Sequence, residues 1–138
     1  MPVAGRKPKP VGQAVNRNKP RHDWTEVPDV AFEGGPKLPR NRPNGSPWPA
    51  ATKRWWAAVA GMPHCRLWRD SDWQFALDTA LIAAEFHMGD TRTATELRNR
   101  EKVLGTTVDF RRDLRIRYVE PDEGPTAEVT RLDDYRDL

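Results

Sequence analysis

Nine of the thirteen prolines fall within residues 1–47, and a tenth, Pro49, follows at once. Proline has no backbone N–H and disfavours helix at the residue before it. Ordinary helices, and with them most of the core, are therefore expected only after Pro47. On this reading residues 1–47 are a long extended arm, polyproline-like in places. Residues 48–119 are the folding domain and residues 120–138 a tail.

Charge follows the same divisions. The arm carries Arg6, Lys7, Lys9, Arg17, Lys19 and Arg21 with no acid before Asp23, whereas the tail holds Glu120, Asp122, Glu123, Glu128, Asp133, Asp134 and Asp137 against Arg131 and Arg136. Such blocks stay solvated or meet a partner of opposite charge. Trp24 and Phe32 stand alone in the arm. They either dock on the folded part or a neighbouring copy, or remain in water.

Four helices are predicted in residues 48–119, making the fold class all-α. The first starts near Trp48, with Ser46 as N-cap and Pro47 just inside, and ends at Gly61 and Pro63. Trp55 and Trp56 are adjacent and cannot both face one narrow core, so one meets a second surface. Leu67 and Trp68 plug the end of the core. The second helix is capped by Asp70 or Ser71 and runs to about Met88. Its main stripe is Trp73, Leu77, Ala80, Leu81, Ala84 and Met88. Phe75, Ile82 and Phe86 point elsewhere, so the helix is apolar on more than one flank. The third helix ends at Gly105. The fourth opens at Thr106 or Thr107 and turns Phe110, Leu114 and Tyr118 inward. A strand over Leu114–Val119, where apolar and polar residues nearly alternate, is the competing reading.

A domain of about 70 residues buries only about 60% of its unfolded surface and is marginal alone. Excess apolar helix surface in so short a domain predicts an oligomer, with Trp55, Trp56, Phe75, Ile82 and Phe86 as candidate contacts between copies. The basic arm and the cluster Arg111, Arg112, Arg115 and Arg117 are the candidate phosphate contacts. A solvated helix face is the alternative for the second cluster.

Bond-making chemistry finds little support. The single cysteine, Cys65, excludes an intrachain disulfide and a Cys-rich zinc module. His22, His64 and His87 are scattered, and no phosphate-cradling glycine loop precedes a helix. No metal or other cofactor is expected. No apolar run approaches the ~20 residues of a membrane span, and no secretion signal opens the chain, so a soluble protein in a reducing compartment is expected.

The layout resembles the small terminase subunits of tailed bacteriophages, in the group with an N-terminal Gly-Arg-Lys-Pro arm. The matching pieces are Gly5-Arg6-Lys7-Pro8, the proline-rich lead-in from Leu38-Pro39 to Pro49, and Ala51-Thr52-Lys53-Arg54-Trp55-Trp56. The Leu67-Trp68 to Asp72 junction, Ala83-Ala84-Glu85, and Leu104-Gly105-Thr106-Thr107 leading to Arg111-Arg112 complete the series. Their order and spacing carry the resemblance over most of residues 5–118. It implies a DNA-packaging adaptor in the host cytoplasm during virion assembly. Such subunits form a homo-oligomer, typically a ring, engage double-stranded viral DNA, and recruit or regulate the large subunit that holds the ATPase and nuclease. By the resemblance, Arg6, Lys7 and Lys9 correspond to the family's basic arm, and Arg111 and Arg112 to arginines opening its last conserved helix. Two rivals stand beside it. One is a structural or regulatory protein–protein adaptor of a phage without direct DNA binding. The other is a small enzyme using His64, Cys65 or a carboxylate.

Overall fold

A computed structural model describes residues 23–121. Among them are four α-helices and two strands: β1 (Thr25–Pro28), α1 (Ala50–Ala60), α2 (Asp70–His87), α3 (Ala94–Leu104), α4 (Val108–Asp113) and β2 (Ile116–Val119). Short 3₁₀ turns at Pro63–Leu67 and Thr91–Thr93 join α1 to α2 and α2 to α3. The chain is mainly helical but not all-α. β1 and β2 form a two-stranded parallel sheet in the register Thr25↔Ile116 to Pro28↔Val119.

α2 is the scaffold. Asp70 and Asp72 favour its positive N-terminal end, and Asp72 Oδ2 accepts from Arg69 N–H at 2.8 Å. Arg69, rather than Asp70 or Ser71, is the N-cap residue. The face that packs most tightly is made of small side chains: Ala76, Thr79, Ala80, Ala83 and Ala84 are fully buried. Small residues at a contact let neighbouring helices approach closely, and α1 and α3 both pack on α2. The larger residues of the expected stripe, Trp73, Leu77 and Leu81, are only half-buried, and Met88 is exposed.

α1 begins after Pro49, with no side-chain cap from Ser46. The extended Pro47–Trp48–Pro49 segment delays it. Its buried stripe is Thr52, Trp56 and Val59. Trp48 and Trp56 join Ala76, Ala80, Ala84 and Leu104 in the main core, beside a second cluster of Val59, Met62 and Cys65. Trp68 packs edge-on to Trp73 at 4.8 Å and does close the core's end. Leu67 does not; it is half exposed.

Residues 23–47 are not a free arm. A proline-rich strand keeps its carbonyls while losing N–H donors, so it can accept hydrogen bonds but seldom complete a ladder. The indoles of the helical part supply the donors: Trp56 Nε1 donates to Pro36 O at 3.0 Å and Trp48 Nε1 to Pro39 O at 2.8 Å. Phe32 stacks on Trp73 at 6.0 Å. Gly35 passes so close to Trp73 that a Cβ there would lie 2.7 Å from the ring. Val27 of β1 is 1% exposed. The folded body therefore begins about twenty residues before the expected boundary at Trp48.

The fourth helix is shorter than predicted. Thr107 Oγ1 accepts from Phe110 N–H at 3.2 Å and caps its start. Arg115 then adopts φ +57°, a conformation that cannot continue a right-handed helix. The strand reading prevails for residues 116–119 because β1 offers them a ladder. Leu114 is consequently exposed, while Tyr118 turns inward from a strand.

Candidate nucleic-acid interface

The end of α3 and β2 meet at one buried side chain, His64. It is 1% exposed. Its Nε2 lies 2.7 Å from Leu104 O and its Nδ1 lies 2.6 Å from the Tyr118 hydroxyl. A carbonyl only accepts, so the proton sits on Nε2 and Nδ1 accepts from the phenol. Gly105, with φ +77°, ends α3 and brings its backbone against the ring. A Cβ at Gly105 would meet His64 Nε2 at 3.1 Å. Burial, helped by the Arg111 charge, lowers the His64 pKa below the usual histidine range, although the Leu104 carbonyl opposes this. The imidazole is thus a neutral strut between the 3₁₀ turn, the end of α3 and β2.

Over this strut lies a groove of about 280 Å³ walled by Trp24, Val108, Arg111, Arg112, Arg117 and Tyr118. Its arginines differ in how far they are engaged. The Arg111 guanidinium sits 4.8 Å over the Tyr118 ring and donates to Gly105 O at 3.1 Å. Arg117 lies 5.3 Å over Trp24 and bonds Glu26 at 3.2 Å. Arg112 makes one long, solvent-exposed contact with Asp109, at 3.4 Å; such pairs contribute little. Arg115 is exposed on the turn between α4 and β2. Arg111, Arg112 and Arg115 therefore share one end of the body, with Arg112 and Arg115 the freer pair. Planar guanidinium groups beside aromatic faces suit phosphate and stacking contacts. Sequence reading missed Trp24 and Tyr118 as walls of this groove. The lone tryptophan in a polar stretch was the available signal for the first. Arg6, Lys7, Lys9, Arg17, Lys19 and Arg21 lie outside the described residues.

The candidate contacts between copies separate into two groups. Trp56 is buried inside its own chain, 6% exposed, and is withdrawn as a surface residue. Trp55 is half-buried and donates to Glu101 of α3 at 2.8 Å, so the second surface it meets is also intrachain. Phe75, Ile82 and Phe86 are each half-buried. Arg100 covers Phe75 at 5.4 Å, and Phe86 meets only the edge of His87 among the aromatic pairs of the described residues. Every large apolar side chain of α2 thus keeps part of its surface in water.

The enzyme reading built on His64 and Cys65 fails on geometry. Cys65 donates its thiol proton to Val59 O at 3.0 Å, and burial raises its pKa to about 12. His64 points away from it, at Tyr118 and Leu104. A nucleophile needs a base within reach and a thiolate-favouring setting; this pair has neither. Among the described residues no three His, Cys, Asp or Glu side chains gather where a metal ion could be held. No described helix is long and apolar enough to cross a membrane.

Fold and surface together define a small, mainly helical binding module with a charged, aromatic groove at one end. The profile of the family described as phage terminase small subunit matches residues 3–138, and this chain belongs to that family. It is accordingly a non-catalytic component of phage genome packaging. No curated protein and no solved structure matches the chain.

Proposed function

We propose that this chain recognises double-stranded viral DNA and assembles into a homo-oligomer, as a ring, that recruits or regulates the large ATPase and nuclease subunit. It would do so in the host cytoplasm as virions form. The observation that carries the DNA part is the pair Arg112 and Arg115, held at one end of the body with little internal engagement. The basic residues Arg6, Lys7, Lys9, Arg17, Lys19 and Arg21 add sequence-independent phosphate contacts. Repetition in an oligomer raises the effective concentration of weak sites, so a modest patch suffices.

Titration of viral duplex DNA across a salt series tests this. Each phosphate contact contributes about −0.9 to the slope of log affinity against log salt. The Arg112→Ala/Arg115→Ala protein is expected to bind more weakly, with a slope shallower by about 1.8. Changing Arg6, Lys7 and Lys9 together to alanine is expected to weaken binding at low salt and flatten the slope further. A parent protein that does not retain DNA at low salt would favour the rival adaptor without direct DNA binding.

Assembly is carried by the half-buried flank Phe75, Ile82 and Phe86. A carboxylate placed in an apolar contact goes unpaired, so Phe86→Asp is expected to dissociate the oligomer towards the 15.8 kDa single chain. Light scattering reads the mass directly. An unchanged mass would remove Phe86 from the contact between copies.

A further inference from the structure

The two edges of the small sheet differ. In a parallel ladder, alternate residues of each strand bond across it and the intervening ones face outward. Thr25 N–H donates to Arg115 O at 2.8 Å and Asp29 N–H to Val119 O at 2.7 Å, in the register Thr25↔Ile116. Glu26 and Pro28 therefore face outward from β1, and Ile116 and Tyr118 from β2. The β1 edge is blunted, because Pro28 has no N–H and its carbonyl accepts from Val30 N–H at 2.8 Å. The β2 edge is not. The main-chain N–H and C=O groups of Ile116 and Tyr118 have no hydrogen-bond partner among the described residues. That edge opens on the groove walled by Trp24 and the arginines, since Ile116, Arg117 and Tyr118 all line it. Consecutive strand residues point to opposite faces, so a groove touching all three runs along the edge of the strand. Its other wall is α4, through Val108, Arg111 and Arg112. A channel of about 280 Å³ between an open strand and a helix fits an extended chain.

We propose that β2 takes up, as a third strand, an extended acidic segment of a partner protein. The backbone groups of Ile116 and Tyr118 would supply affinity, and the side chains around them selection. Arg112, Arg115 and Arg117 are exposed, and among the described residues only Asp109 and Glu26 pair with them. Acids on the incoming strand beside Arg117 form cross-strand pairs. The intervening residues meet half-buried Ile116 and exposed Val108, which suit aliphatic side chains. The segment is therefore one in which acidic and aliphatic residues alternate. A second copy of this chain fits poorly. Its β2 would set Arg115 and Arg117 against their own counterparts, and like charges placed opposite repel. Its β1 presents Pro28, which has no donor. The inference goes beyond the DNA reading and does not rest on it. Because Arg112 and Arg115 are shared, the segment and duplex DNA would exclude each other.

Anisotropy titration of the full-length protein into a labelled synthetic peptide of alternating valine and glutamate, without DNA, tests the proposal. Saturable binding is expected. Only alternate residues of an added strand bond to its neighbour, so N-methylation of the valine amides and of the glutamate amides should act unequally. One set abolishes binding and the other leaves it nearly intact. Loss at the valines marks an antiparallel strand, and loss at the glutamates a parallel one. Arg117→Glu exchanges an exposed attractive pair for a repulsive one and is expected to weaken binding about tenfold. Should Arg117→Glu fail to fold, the N-methyl comparison on the parent protein decides alone. Absence of binding, equal binding of a valine–lysine peptide, or equal effects of the two N-methyl sets overturns the proposal. Binding that disappears as the parent is concentrated and its mass rises also overturns it, because a second copy would then occupy the edge.

Discussion

Replacing Trp56 by alanine is expected to lower the stability of this protein by about 3–5 kcal/mol. The indole is 6% exposed and packs among Trp48, Ala76, Ala80, Ala84 and Leu104. Its ring lies 6.1 Å from Trp73. The alanines around it are held by helix backbone and cannot grow into the space left behind, so the cavity persists. The substitution also strands the Pro36 carbonyl and loosens residues 33–40 from α1. Against a total of about 5–15 kcal/mol for a domain, that is a large fraction. At about 4–8 °C per kcal/mol for a body of this size, the melting midpoint should fall by roughly 12–40 °C. Trp56→Phe keeps most of the bulk and loses the N–H, which should cost about 1–2 kcal/mol. Trp55→Ala should cost less than Trp56→Ala, since Trp55 is half in water. Circular dichroism melts of the three variants give the ranking. A Trp55→Ala effect equal to or above that of Trp56→Ala would show that the core is wrongly drawn.

The second large effect centres on His64. Alanine there leaves both the Leu104 carbonyl and the Tyr118 hydroxyl without a partner inside a packed region. Each buried unsatisfied group costs about 1–3 kcal/mol, so a loss of about 2–5 kcal/mol is expected at neutral pH. The histidine also sets a pH dependence. Its folded pKa lies below the unfolded value, chiefly through burial. The unfolded chain therefore takes up a proton first as the medium is acidified, and proton uptake by the unfolded state destabilises the fold. Stability from this group is intact above about pH 6.5 and declines as pH falls from there towards the folded pKa. His87, also lowered by burial, adds in the same direction. Urea midpoints of the parent should drop between pH 7 and pH 5. His64→Asn should be less stable at pH 7 and show a shallower drop. A variant that keeps the parent's full acid sensitivity would remove His64 from this role.

What could be read from the sequence was what local chemistry controls. The start of α2 near Asp70 and its end near Met88 were legible, as was the end of α3 at Gly105. The basic cluster at Arg111, Arg112 and Arg115 was visible as a count of like charges. What escaped was decided by segments far apart in the chain. Residues 25–28 form a strand only because residues 116–119 pair with them, and β preference depends on such context. The same pairing shortened α4. Hydrophobic size also misdirected the reading of α2. The tightest contacts use its alanines, while the leucines and aromatics flank them, half in water. His64 carried no signal of its own beside Cys65. Its role exists only where Leu104 and Tyr118 arrive around it.

The four-rung parallel ladder has a mechanical corollary. The chain enters β1 at Thr25 and leaves β2 at Val119, at opposite ends of the pair. Tension between the positively charged head and the negatively charged end would therefore slide the two strands past each other lengthwise. Every rung resists such sliding at once, instead of opening in turn like a zip. A load drawn in through the head could thus be borne by four residues a side without unravelling the helices behind them.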